Sequence, residues 1–189
     1  MYIFDVETLG IESTSVILSM ACIYFNPEDK PTYQQLVDSA FFVKLNAADQ
    51  VDRLKRSVSK STLEWWETQH ASVKKLSLIP NKLLDVSPEF AHAQLRTWAT
   101  QFPDYATSTV WARGNLDQMV LGSLEEKMKV DPVFHFARWR DVRTAVDLLS
   151  GSNNGYCKIP DFDFSQVIKH NPIHDCASDA MMLMYGTSK

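Results

Sequence analysis

Apolar and polar positions follow two rhythms along this chain. Residues 2–6 are a short apolar run ending in Asp5-Val6-Glu7-Thr8-Leu9-Gly10, which predicts a strand leading into a turn. Residues 16–25 (VILSMACIYF) predict a longer strand closed by Asn26-Pro27, and 39–45 a third, so the chain opens as an antiparallel meander. The period then changes. Ser61 with Glu64 three residues on is a capping-box pattern that opens a helix over 61–69. Ser87 followed by Pro88 starts another over 88–101, with Phe90, Leu95 and Trp98 as its apolar positions. Residues 107–112 predict a fourth strand, broken by Gly114-Asn115 before a helix over Leu116–Met128. A short strand or bend and a helix follow within 139–149, and a last helix runs over 175–185. Strands, then helices, then strand–helix alternation predict one mixed α/β sheet in a single domain spanning residues 1–189. The irregular stretch 150–173 exceeds the usual loop length, which predicts a functional or mobile segment.

Composition narrows this picture in three ways. Hydrophobic residues make up 45% of 189, enough to bury a core without staples and too many for a disordered chain. Nineteen Lys and Arg against 23 Asp and Glu give a formal charge of −4, which excludes a polybasic module that holds nucleic acid by bulk charge. No run of about 18 apolar residues exists, so no membrane association is expected. Cys22, Cys157 and Cys176 are too far apart for a Cys-x-x-Cys motif and suit a reducing compartment, so a cytoplasmic protein is expected.

The chemistry is carried by acids at element ends. Asp5 and Glu7, two apart on a strand, share one face and can share a hard cation. An apolar strand should not end in two acids without a partner or a metal. His174 and Asp179 form a His-x-x-x-x-Asp pair at the last helix, and His170 with Asp175 has the same spacing. Pro172 inside the rival spacer opposes a regular helix there, whereas small residues fill the spacer from Asp175 to Ser178, which selects His174 and Asp179. Asp117 falls in the first turn of a helix, behind Asn115. Oxygen ligands without a Cys/His cluster favour Mg²⁺ or Mn²⁺, two of which would clamp a phosphodiester, and a histidine at the mouth is the natural base for the attacking water.

Asp5-x-Glu7-Thr8-x-Gly10, then Asp117, then His174-x-x-x-x-Asp179 resemble, in that order, the three motifs of the DEDDh 3′–5′ exonucleases, which include proofreading exonucleases and oligoribonucleases. Ser61-Thr62-Leu63-Glu64-Trp65-Trp66, Arg140-Asp141-Val142-Arg143-Thr144 and His174-Asp175-Cys176-Ala177 are similar to the exodeoxyribonucleases of T-even bacteriophages, with mycobacterial exoribonucleases as a related branch. The resemblance implies an RNase H-like α/β fold, a mixed five-stranded sheet flanked by helices. It implies metal ligation by Asp5, Glu7, Asp117 and Asp179, and His174 as the base. It further implies that the backbone at Thr8 and Leu9 meets the 3′-terminal nucleotide, with Leu9 pushing against a base. The implied partner is the 3′ end of a single nucleic-acid strand, DNA favoured over RNA, in a host cytoplasm if the gene is a phage's. The sequence leaves monomer and homodimer open.

Around these motifs, Trp66 shares a helical face with Leu63 and reads as core, whereas Trp65 points elsewhere and is placed to stack a nucleobase. Arg140 and Arg143 are candidates to contact phosphate or to hold Asp117. Arg53, Lys55, Arg56 and Lys60 form the one dense basic run, read first as solvated helix surface. Two other classes compete. A haloacid-dehalogenase-type phosphatase also opens with an apolar strand ending in Asp-x-acid-Thr, but would want Asp at position 7. A non-catalytic nucleic-acid-binding module would not need the complete set of acids with His174.

Overall fold

The structure, a computed structural model, describes residues 1–186. Its centre is a six-stranded sheet in the order β4-β3-β2-β1-β5-β6. The strands are β1 (Tyr2–Thr8), β2 (Ile17–Tyr24), β3 (Phe41–Leu45), β4 (Asp85–Val86), β5 (Val110–Ala112) and β6 (Trp139–Asp141). β1, β2 and β3 form the expected antiparallel meander, while β5 pairs parallel to β1 and β6 parallel to β5. The sixth strand corrects the expected count of five. β4 is two residues long and pairs parallel to Lys44 and Leu45 of β3, too short for any alternation to betray it.

The helices are α1 (Tyr33–Asp38), α2 (Ala47–Asp52), α3 (Lys60–Glu67), α4 (Ala71–Val73, running into a π-helical turn Lys74–Leu78), α5 (Pro88–Thr100), α6 (Leu116–Met128), α7 (Val142–Ser150) and α8 (Pro172–Tyr185). They cover both faces of the sheet. Tyr2, Phe4 and Val6 of β1 pack with Ala91, Leu95 and Ala99 of α5 and with Val120, Leu121 and Leu124 of α6. Ile3 points the other way, into a cluster with Val142 and Val146 of α7 and Cys176, Ala177 and Ala180 of α8. The two-residue period of a strand therefore puts Asp5 and Glu7 on the α8 face. The β1–β2 register shifts between Glu7 and Thr8, a bulge at the end of the strand that carries the acids.

α8 begins three residues before the expected start. Asn171 caps it by accepting from the Ile173 N–H at 3.1 Å, and Pro172 takes the first helical position, where a missing N–H costs nothing. Its small side chains allow a close approach to the sheet: Cys176 Sγ lies 3.7 Å from the carbonyls of both Ile3 and Ala21. α3 is capped by Ser59, which accepts from the Thr62 N–H, rather than by Ser61, and Glu64 faces solvent toward Lys60 instead of closing a box. In α5 the inward positions are Ala91, Leu95 and Ala99; Phe90 is exposed, because it lies one position off that stripe.

The basic run is not one solvated surface. Arg56 is buried and donates to the carbonyls of Ser13, Ser15 and Val120, tying the segment after β1 to α6. Arg53 pairs with Asp49 and Glu89. The 150–173 stretch is anchored in its middle: Cys157 and Ile159 are buried in the α8-face core, and Phe162 sits edge-on to Tyr33 with ring centroids 5.1 Å apart. None of the described helices is long and apolar enough to cross a membrane.

Candidate active site

The acids meet where β1 leaves the sheet. Asp5 and Glu7 come from its end, and Asp117 enters from the first turn of α6, where its Oδ1 accepts the Val6 N–H at 3.1 Å. That bond fixes Asp117 against the peptide between the two strand acids. Asp179 comes from α8, on the face packed against β1. One helical turn earlier on the same helix stands Asp175, a fifth acid that the motif reading passed over. Its signal was present in the sequence: two acids four apart, among small and apolar residues, share one face of a buried helix.

The carboxyls feel one another. Burial pushes the Asp5 carboxyl well above the usual carboxylate range, and the charges of Asp117, Glu7, Asp175 and Asp179 push it further. Glu7 is raised well above its ordinary value by burial, then by Asp175 and Asp117. Burial lifts Asp117 to about 7 against the pull of the Val6 N–H, and lifts Asp175 to about 7 with help from Asp179. Asp179 is raised by burial but held back by Arg113. Five acids in one low-dielectric pocket cannot all ionise without cations nearby.

Arg113 is the counter-charge that sequence reasoning missed. It lies just past β5, donates from Nε to Asp179 Oδ1 at 3.0 Å and from Nη1 to the Gly155 carbonyl at 2.8 Å, and stacks over the Tyr156 ring at 4.4 Å. An arginine placed directly after the apolar strand and before Gly114 is the local sign that would have pointed to it. Arg143 is exposed and holds the Asp117 and Asp179 carboxyls down through its charge. Gly155 packs on its stem so closely that a Cβ there would come within 2.7 Å of Arg143 Cγ. Arg140 turns instead to the carbonyls of Ala137 and Trp139.

The two histidines divide differently from the motif. His174 Nδ1 lies 2.7 Å from the Tyr33 hydroxyl and accepts from the Ile168 N–H at 3.3 Å. Burial lowers its pKa below the ordinary imidazole value. His170, just before α8, has one ring nitrogen within 4.8 Å of carboxylate oxygens of both Glu7 and Asp175. Its neighbour on the other side is Trp65, ring centroids 4.8 Å apart at 88°.

Beside the acids runs a groove of about 340 Å³, lined by Glu7, Thr8, Gly10, Ile11, Trp65 and Leu116 among others. Trp66 is fully buried and donates from Nε1 to the Thr8 carbonyl at 2.9 Å, whereas Trp65 is 39% exposed on the groove. Leu9 corrects the expectation. Its side chain packs with Val16, Leu18, Trp66 and Val73, its N–H donates to the Val16 carbonyl, and its carbonyl accepts from Ser59, so nothing of it faces the groove. Ile11, 78% exposed, stands there in its place. Asn115 makes no side-chain cap for α6 and lines a neighbouring cavity of about 470 Å³ with Gln118 and Arg140.

Comparisons with known proteins identify the family and the fold. The profile of the family described as the 3′–5′ exoribonuclease Rv2179c-like domain matches residues 1–186. The exodeoxyribonuclease of Enterobacteria phage T4 is 27% identical over 210 residues, covering 97% of this chain and 87% of the phage protein. In fold, the chain is similar to the nuclease domain of 3′hExo, a DEDDh family member solved bound to rAMP, with a TM-score of 0.61 over 97% of this chain and 88% of that one, at 12% identity. An α/β sheet whose central strand ends in acids, matched by that profile from the first residue to Gly186, belongs to the 3′–5′ exoribonuclease Rv2179c-like family of DEDDh exonucleases.

Proposed function

We propose that this chain is a single-domain, two-metal 3′–5′ exonuclease that releases 5′-mononucleotides from the 3′ end of a single strand. The observation that carries the reading is the set of raised carboxyls at the end of β1, offset by so little positive charge. Such a donor set fits hard divalent cations: carboxylate oxygens, most of their charge uncompensated, gathered at one mouth. Asp5, Glu7 and Asp179 would hold one Mg²⁺ or Mn²⁺, and Asp5 with Asp117 a second. Bound there, the ions supply Lewis acidity to the scissile phosphate and acidify water.

The remaining steps belong to the chain. His174 serves as the base. In the geometry seen, the Ile168 N–H points at Nδ1, which leaves the ring proton on Nε2. Taking a proton at Nε2 needs the other tautomer, with the ring proton on Nδ1 and the Tyr33 oxygen accepting it. Trp65 offers a stacking surface for the terminal base, which suits an enzyme indifferent to sequence. Thr8 and Asn115 line the cavities beside the acids and would border the path of the strand, and Arg143, whose charge reaches Asp117 and Asp179, would meet a phosphate there.

DNA is the first substrate proposed, supported by the phage exodeoxyribonuclease that matches nearly the whole chain. RNA is the second reading, favoured by the family's description. The test uses 3′-tailed DNA and RNA strands labelled at the 5′ end, with Mg²⁺, Mn²⁺ or EDTA. A ladder shortening from the 3′ end, with mononucleotide release that EDTA stops, is the expected result. Binding without shortening would overturn the reading in favour of a non-catalytic module.

A further inference from the structure

A cavity of about 390 Å³, lined by none of the acids at the end of β1, opens between the residues that lead into α1, the end of α8 and the middle of the 150–173 stretch. That volume lies in the range of small-ligand sites. Tyr33, Ile159 and Met181 are its buried walls, and Phe162 closes one side, edge-on to Tyr33. Rings and apolar side chains so arranged take a flat, apolar body. The one charged residue on the lining is Lys30. Its ammonium makes no hydrogen bond or ion pair among the described residues, and the neighbouring acids Asp29 and Asp161 line none of the cavity. Lys30 also sits at φ 45° and ψ 54°, in the left-handed region, although a residue before a proline prefers extended backbone. A residue with a Cβ holds that conformation at a cost, and such strain gathers at ligand sites. Tyr33 is shared with the hydrolytic centre: its ring lines the cavity, and its hydroxyl lies 2.7 Å from His174 Nδ1.

We propose that this cavity binds a small aromatic monoanion, which slows hydrolysis by shifting Tyr33 against His174. The ring lies against Tyr33 and Phe162, and the negative group meets Lys30. An aromatic body answers the apolar walls, and a single negative charge answers the single lysine. The slowing rests on the reading of His174 as the base; the binding does not.

The probe is anilinonaphthalene sulfonate, an aromatic monoanion whose fluorescence rises in apolar surroundings. It is titrated into the full chain in EDTA, and into Lys30→Asn and Phe162→Ala. Asn tolerates the left-handed backbone and removes the ammonium, and Ala removes one ring from the wall. Wild type is expected to bind one probe per chain. Affinity falls at least fivefold in each variant, with the Tm of Lys30→Asn held or raised because its backbone strain is eased. The His174 imidazole signals, identified in NMR spectra through His174→Gln, shift over the concentration range that saturates the fluorescence. With Mg²⁺ present, the probe lowers kcat and leaves KM for the strand unchanged, and Lys30→Asn without probe hydrolyses as wild type does. Equal probe affinity in wild type and both variants overturns the site. A rise in KM alone overturns the coupling, because the probe would then be competing with the strand. Probe affinity that weakens as protein concentration rises, with a dimer in sedimentation, overturns the proposal in favour of a second copy seated on the cavity. If wild type hydrolyses neither DNA nor RNA but its probe affinity depends on Lys30, the exonuclease reading fails and the cavity site stands.

Discussion

Two regions of this molecule bury charge, and they treat it in opposite ways. Around β3, α5 and α6 the buried charges have partners close at hand: Lys44 with Asp85, Glu125 with the Val133 N–H, Arg56 with three backbone carbonyls. At the end of β1, five carboxyls are drawn together and, among the described residues, only Asp179 has an ion-pair partner, Arg113. The first region is closed on itself, and its charges hold segments in register. The second is left short of positive charge, and the deficit is what a divalent cation would fill. Buried charge that the fold leaves unsatisfied is the physical sign of a site, whereas buried charge that it satisfies is part of the scaffold.

Exchanging the two behaviours should break the comparison most sharply at the open end. Asp5→Asn is expected to lower turnover by about three orders of magnitude or more, roughly 4 kcal/mol of transition-state stabilisation. The melting temperature of the metal-free protein should hold or rise, since one repelling charge is gone. A variant that unfolds, or one that keeps near-wild-type turnover, would contradict the assignment. His174→Ala comes next, with a loss on the order of a hundredfold in kcat, while Mn²⁺ affinity measured by calorimetry persists.

At the closed end the expectation is reversed. Arg56→Ala leaves the carbonyls of Ser13, Ser15 and Val120 without their buried donor and should cost about 2–3 kcal/mol of stability. That is a fall of roughly 5–10 °C in Tm, with activity per folded molecule little changed. A drop in kcat as large as that of His174→Ala would erase the distinction between scaffold and site.

A pH series sharpens the same contrast. Asp117 and Asp175 have folded-state values raised to about 7, above those of the unfolded chain, so the folded state binds more protons between pH 4 and 7. The stabilisation this gives is fully present below about pH 4 and is lost as pH rises through about 7. The metal-free protein should therefore melt several degrees lower at pH 8 than at pH 5, and saturating Mn²⁺ should flatten that slope. Asp49 and Glu89 in the paired region are lowered instead, so their contribution is lost only as pH falls below their folded values. An unchanged slope with Mn²⁺ would mean that the acids do not meet the metal. The smallest effect is expected from Tyr33→Phe, a several-fold fall in kcat with the pH profile's acid limb displaced, because the phenol acts only through His174.

Much of this is legible in the chain's own pattern. The β1 run ending in Asp5 and Glu7, the meander after it and the bounds of α6 follow from period and punctuation alone. Trp66 is core as expected, but Leu63, whose spacing suggested the face, is exposed, so the inward turn of Trp66 is set by its bond to the Thr8 carbonyl and its packing with Leu9, Val16 and Val73. Where the pattern misleads, the missing information is non-local. Leu9 and Ile11 are both apolar residues after a strand, and only the packing of Trp66 and Val16 decides that Leu9 is core and Ile11 is exposed. Arg56 looks like its basic neighbours until α6 is laid over it. β4 exists because β3 offers it an edge, not because two residues carry a pattern.

The sequence by itself determined which residues carry charge and on which face of each element they stand, because strand and helix periods are properties of the local backbone. It thereby set Asp5 with Glu7, and Asp175 with Asp179, as pairs. The tertiary structure alone decided that these pairs face each other, that Asp117 reaches the Val6 peptide, and that Arg113 takes Asp179. It also set His170 beside Glu7 and turned His174 to Tyr33, although the two histidines have identical spacing to an acid. The reason is that spacing along a chain fixes direction only within one element. What stands opposite depends on how closely α8, with its cysteine and alanines, can press against β1.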